Sequence, residues 1–293
     1  MTLSDEQELL RWVEELVGRR ATTDRRMGTA WMLVPLLPII LAIVLVTTLV
    51  RSVTPIIANL QGLQTNAASS TLVGALLGFY AFAAMSVYVL LFLLSLALYY
   101  LIDRRNSHFK RQQRLFKALV KYLQVSAKAA DLHASRFAEL IEDSADEEQE
   151  RPAGIWAILN LFAAPIVSLV VAFNLTQDLC RHDARQINFQ ETLSKAFTDV
   201  GLASPSPVSP KPLRRDTVLF LLLTVITAGL FWIYWFHILL KDYNEHFANQ
   251  AVYEDGVLAA LKHTSQYGKC VGCGGSVPSG ARYCPSCGQP QAG

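Results

Sequence analysis

Charge is what this sequence has least of, and its distribution excludes more than its mean does. Between Arg26 and Asp103 the only charged side chain is Arg51, and residues 152–177 and 217–240 carry none. Over 293 residues, 17% are charged and 52% hydrophobic, against about 25% charged in an average soluble domain. A hydrocarbon core of ~30 Å takes about 20 apolar residues to cross as helix. Four segments are long enough: 30–50, 72–102, 154–174 and 217–240. A soluble core is excluded.

Ionisable residues at membrane depth are also missing. Each costs about 2.5–3.5 kcal/mol on insertion scales and marks ion or proton pathways. The polar residues there, Asn160, Asn174 and His237, suit interhelical hydrogen bonds, so a coupled transporter is disfavoured. The chain has no Gly-rich phosphate loop, no His-Glu-x-x-His and no Gly-x-Ser-x-Gly, hence no recognisable catalytic machinery. A net charge of +2 provides no basic field for nucleic acid.

What is present begins with Ser4-x-x-Gln7, a capping-box pattern, followed by Leu9, Leu10, Val13, Leu16 and Val17 at helical spacing. Residues 1–29 are expected to form an amphipathic cytosolic helix rather than a cleaved signal. With four spans and the N-terminus inside, 19 basic residues fall in the cytosol and 7 outside. The positive-inside rule then places both termini in the cytosol of a multi-pass cell-membrane protein. The segment 175–216 is expected outside, although it holds Arg181, Arg185, Lys195, Lys211, Arg214 and Arg215. The basic stretch Arg104 to Lys128 faces anionic headgroups or water.

The chain also repeats itself. At an offset of 125, Arg11, Glu14, Arg26 and Trp31 fall on Arg136, Glu139, Arg151 and Trp156. At an offset of 138, "NSHFKRQ" (106–112) falls on "NEHFANQ" (244–250), matching Asn106, His108, Phe109 and Gln112 with Asn244, His246, Phe247 and Gln250. The expected fold is an all-α integral membrane protein of four transmembrane helices. They form two tandem parallel hairpin repeats, units 30–130 and 131–266, the second with the longer external loop. His108 and His246 then lie under the inner leaflet at matching places. Helix–helix hydrogen bonding is their expected role, with joint metal binding the sharper alternative.

Further marks fill in the helices. Trp31, Trp156, Tyr99, Tyr100 and "FWIYWF" (231–236) form interfacial girdles. Gly74 and Gly78 suggest close helix packing. Phe116, Leu119, Leu123, Ala130, Phe137 and Leu140 give a partial heptad stripe. Residues 183–202 read as another amphipathic helix, and "SPSPVSP" (204–210) as a stiff linker.

The tail "KCVGCGGSVPSGARYCPSCGQ" carries Cys270, Cys273, Cys284 and Cys287 as two Cys-x-x-Cys pairs ten residues apart. That is zinc-ribbon spacing. Four thiolates fill a tetrahedral shell, so one structural Zn2+ is expected, with no open position for chemistry. Residues 268–293 have little else to bury, and so short a segment needs a staple. Paired disulfides would need an oxidising compartment, against the cytosolic placement. With only Lys269 and Arg282 as charges, the ribbon is ill equipped for nucleic acid. Val271, Val277, Pro278 and Tyr283 suit a protein surface.

The block "RRDTVLFLLLTVITAGLFWIYWFHILLKDYNEHF" (214–247) resembles a domain of unknown function found in small prokaryotic multi-pass membrane proteins. The tail is similar to the zinc ribbon often appended to them. The resemblance implies the layout and no catalytic residue. The expected function is a non-catalytic membrane adaptor or scaffold in the lipid bilayer, docking a cytosolic protein through its ribbon. A channel or transporter component, passive and built as a homo-oligomer, is the alternative.

Overall fold

The computed structural model describes residues 3–60, 66–126, 130–199, 211–270, 272–273, 275–278 and 282–290. The expected linker at 204–210 lies outside them. Along the chain run α1 (Leu3–Gly18), the short α2 (Arg20–Thr23), a 3-10 stretch (Thr29–Leu36), α3 (Leu37–Leu60) and α4 (Asn66–Ser126). There follow α5 (Ala130–Glu147), α6 (Ala153–Asp199), α7 (Thr217–Ile226) and α8 (Leu230–Gln266). A small tail with strands β1 (Tyr267–Lys269) and β2 (Ser276–Pro278) closes the chain. The chain is thus almost wholly helical.

Three helical stretches are long and apolar enough to cross a membrane: Thr29–Thr54, Val73–Val125 and Ala153–Asp199. On α3, Ile40, Ile43, Val46 and Val50 are exposed, and on α4 Leu77, Tyr80, Met85, Tyr88 and Phe92. Apolar surface of that extent wants lipid rather than water. Trp31 meets Tyr100 edge-on at 5.5 Å, as an interfacial girdle would. Apart from the adjoining backbone of α4 itself, no atom of the described residues lies within 4 Å of where a Cβ on Gly74 or Gly78 would stand, so the close packing expected there is not made among them.

The third stretch does not run straight. Arg151, just before α6, makes a two-pronged ion pair with Asp178, 2.7 and 2.8 Å. A straight helix would hold residues 27 apart in sequence about 40 Å from each other. The chain reverses at Ala163, whose φ of −136° and ψ of 43° are non-helical. Pro165 follows, a residue with no N–H to give to the preceding turn. The first arm, 153–162, is then only about 15 Å long, half a bilayer core.

The same device recurs. α7 has ten residues, again about 15 Å. It ends where Gly229 N–H donates to Thr224 O at 2.8 Å, with Gly229 at φ 92°, a conformation that favours glycine. The chain returns as α8, bringing Phe220 to 5.4 Å from Phe231 and 5.8 Å from Trp235. Arg215 grips Asp242 at 2.7 and 2.8 Å, the same separation of 27 residues.

Two expectations are corrected here. The apolar segments 154–174 and 217–240 do not run as straight helices, because backbone breaks at Ala163 and at Ala228–Gly229 fold each back. The described stretches long and apolar enough to cross a membrane number three rather than four. The segment 175–216 is not on the far side from α4, as far as its described residues go. Phe189 stacks on Phe116 at 3.7 Å, and residues that touch share one side of any membrane.

That contact belongs to a helical core built on one side. Leu9, Val13, Leu16 and Val17 of α1 are buried with Leu115, Leu119 and Leu123 of α4, Phe137 and Leu140 of α5, Phe189, Leu193 and Phe197 of α6, and Val257 and Leu261 of α8. The α1 and α4 stripes read from the sequence are thus buried faces. Units 30–130 and 131–266 contribute to a single core. A second apolar cluster on the hairpin side holds Leu98, Leu101, Ala172, Leu175, Trp235 and Leu239. Between the two clusters lies a polar layer.

Candidate functional site

The ribbon forms first from its backbone. β1 and β2 pair antiparallel, Gly268 opposite Val277. Cys270 N–H donates to Gly275 O at 2.8 Å and Cys284 N–H to Gln289 O at 2.9 Å, closing both knuckles. The second knuckle needs glycine at 288, where φ is 73°.

These turns bring the four expected ligands together. Cys270 and Cys287 sulfurs are 3.6 Å apart, those of Cys273 and Cys284 3.7 Å, and all four lie within 4.8 Å of one another. A tetrahedral zinc with Zn–S bonds of about 2.3 Å sets its sulfurs about 3.8 Å apart. A disulfide needs about 2.05 Å, and all four thiols are free. The donor set fits a structural metal. Replacing Cys273 by Ser is expected to release the ribbon's metal while the helical part keeps its far-UV circular dichroism, which metal analysis beside the spectrum checks.

The polar layer in the helical core is the second constellation. His108 on α4, His182 on α6 and His246 on α8 are all buried. Their ring centroids form a triangle with every side 5.2 Å. Each histidine is followed by a residue that reaches the next ring in a closed cycle. Phe109 stacks on His182 at 4.0 Å, Asp183 meets His246 at 3.0 Å, and Phe247 lies 4.5 Å from His108. Four residues after each histidine stands a buried glutamine: Gln112, Gln186 and Gln250.

Every histidine also faces a carboxylate through Nδ1. The pairs are His108 with Asp24 at 3.0 Å, His182 with Glu148 at 2.8 Å and His246 with Asp183 at 3.0 Å. The Asp24 contact is close but poorly aligned as a hydrogen bond. These carboxylates come from α6 and from the segments that lead into α3 and α6, so the layer ties those segments to the bundle. Burial works against charge on Asp24, yet His108 and Arg111 hold its carboxyl well below the usual range. Burial likewise opposes Glu148, but His182, Arg185 and Ser144 keep it at about 2.

One turn further on, Arg111 bridges Asp24 (2.7 and 3.2 Å) and Glu254 (both contacts 2.9 Å). Gln112 and Gln250 donate to the same Glu254. The motif asparagines act as reciprocal clamps. Asn106 bonds Arg151 O at 2.7 Å and receives its N–H at 3.1 Å; Asn244 does the same for Met27 at 2.9 and 3.2 Å.

All eight residues of the Asn-x-His-Phe-x-x-Gln motif therefore meet in one layer. His182, Gln186, Asp24, Glu148 and Asp183 were not singled out from the sequence. A signal existed: His-x-x-x-Gln occurs at 108–112, 182–186 and 246–250. Its third copy was hidden because 175–216 read as external. Cys180 lies outside both constellations, half-buried, and burial raises its thiol pKa.

Compared with known protein families, curated proteins and solved structures, the chain matches none of them. Its function has to be argued from this geometry.

Proposed function

We propose that the protein is a membrane-anchored adaptor or scaffold whose zinc-ribbon tail docks a cytosolic protein. The observation that carries this is the course of α8. One helix of 37 residues, about 55 Å, starts at the hairpin turn in the apolar layer, supplies His246 and Gln250 to the core, and leads directly into β1 of the ribbon. A docking head is thereby joined to the membrane anchor through the core. On the ribbon Tyr283 is exposed, the kind of side chain that anchors protein partners.

In this proposal the helical core, both termini and the ribbon are cytosolic, and the membrane part comprises α3 and the apolar half of α4 as spans plus two half-depth hairpins. The repeat is carried three times, once by each histidine helix; the closed His cycle supports that count, and the 27-residue Arg–Asp separation is shared by the second and third copies. Of the channel alternative, a pore through a single chain fares less well. Leu98, Leu101, Ala172, Leu175, Trp235 and Leu239 are all buried in one cluster on the hairpin side, where a pore through a single chain would pass.

Crosslinking pull-down with the full chain and with a chain lacking residues 268–293 tests the proposal. A discrete partner is expected with the first and lost with the second, both remaining in the membrane fraction. Capture unaffected by removing the ribbon, or solute flux through liposomes holding the pure protein, would contradict it.

A further inference from the structure

We propose that His108, His182 and His246 bind a second metal ion, a divalent transition metal of the zinc class, through their three Nε2 atoms in the middle of the helical core. The inference is independent of the adaptor proposal and of the ribbon.

The first ground is the tautomer that the surroundings impose. A carboxylate beside an imidazole nitrogen requires a proton on that nitrogen, and each of the three Nδ1 atoms faces one. A neutral imidazole with its proton on Nδ1 has a bare lone pair on Nε2. One nitrogen of each ring lies within 4.8 Å of the other two. His108 and His182 set their Nε2 atoms 3.3 Å apart, too close for two acceptors with nothing between them. His246 Nε2 is buried and has no hydrogen-bond partner among the described residues. A shared cation resolves the repulsion and supplies the missing partner together.

The second ground is distance. Imidazole nitrogens bound tetrahedrally at about 2.0–2.1 Å stand about 3.3 Å apart, as His108 and His182 do. The three ligand atoms lie within 4.8 Å of one another, so a small inward turn of the rings closes the set. A carboxylate behind each ligating histidine is the support that orients the ring and raises its basicity in metal sites. All three histidines have it here, which chance packing of three imidazoles does not require.

The third ground is what stands on the open side. Three histidines leave a fourth tetrahedral position. A cavity of about 30 Å³ beside the layer is lined by Asp183, Gln186, His246, Gln250 and Tyr253, among others, room for a water molecule. Gln186 Nε2, on the wall of that cavity, is buried and has no acceptor among the described residues, and a water held there beside His246 offers one. Imidazole ligands suit zinc, copper, nickel and iron, and exclude the hard cations.

The test uses the full chain in detergent, stripped with a chelator and reloaded with Zn2+ alone. Wild type is expected to hold two zinc ions per chain, and the Cys273→Ser, Cys287→Ser double variant one. Adding His182→Gln to that double variant should remove the last ion with the helical circular dichroism retained, and Asp183→Asn should weaken its binding about 10- to 100-fold. Loading the double variant with Co2+ should give ligand-field bands without the thiolate charge-transfer band of the ribbon. A wild-type content of one, falling to zero in the cysteine variant, would overturn the proposal. That count decides the matter even if a histidine variant does not fold.

Discussion

Replacing Arg111 by Met is expected to destabilise the helical core by about 3–5 kcal/mol, the cost of leaving buried carboxylates without their partner. The Arg111 side chain is 1% exposed, and those of Asp24 and Glu254 are 6% and 2% exposed. It holds two carboxylates from distant parts of the chain, one on the segment leading into α3 and one on α8. Without it, Asp24 keeps only His108 and Thr23 among the described residues, while Glu254 keeps Arg20, Gln112 and Gln250. Methionine restores the volume but none of the hydrogen bonds. The control is Lys110→Ala, which removes an ion pair to Glu150 with both side chains more than half exposed. That change should cost less than about 1 kcal/mol. Chemical denaturation in detergent, followed by circular dichroism, separates the two. Equal midpoints would mean that the buried network contributes nothing to stability.

The parts of this fold that were legible in the sequence are those whose signal is local. The ribbon ligands follow from spacing, because a Cys-x-x-Cys knuckle is a single turn and its geometry travels with it. The α1 stripe of Leu9, Val13 and Leu16, and the α4 stripe of Phe116, Leu119 and Leu123, follow from period and are buried as that period requires. The matched Asn, His, Phe and Gln of 106–112 and 244–250 pointed to a shared place, and the structure brings them into one layer.

What was not legible depends on where the chain turns. Hydropathy sums side-chain transfer and is blind to Ala163 and Gly229, the two places where 154–174 and 217–240 fold back on themselves. An even number of crossings returns the chain to its starting side, so that reading still let α8 meet α4, as Gln112 and Gln250 do on Glu254. The single crossing assigned to 154–174 instead sent His182 to the far side. With His182 removed, the remaining pair looked like an ordinary helix contact. The carboxylates were hidden for another reason: Asp24 and Glu148 lie 84 and 34 residues from the histidines they face, and no local pattern links them.

The largest all-or-none effect is therefore expected from the sidedness of α6. Lys195 and Lys117 are both exposed, on helices that meet through Phe189 and Phe116. A cysteine placed at either position should react with a membrane-impermeant thiol reagent only from the face that carries the basic end of α4. In intact cells, Lys117→Cys and Lys195→Cys should both remain at the background of the unsubstituted protein, and in inside-out vesicles both should label above it. Labelling of Lys195→Cys in intact cells, with Lys117→Cys protected there, would put α6 and α4 on opposite sides and contradict the one-sided core on which the account rests.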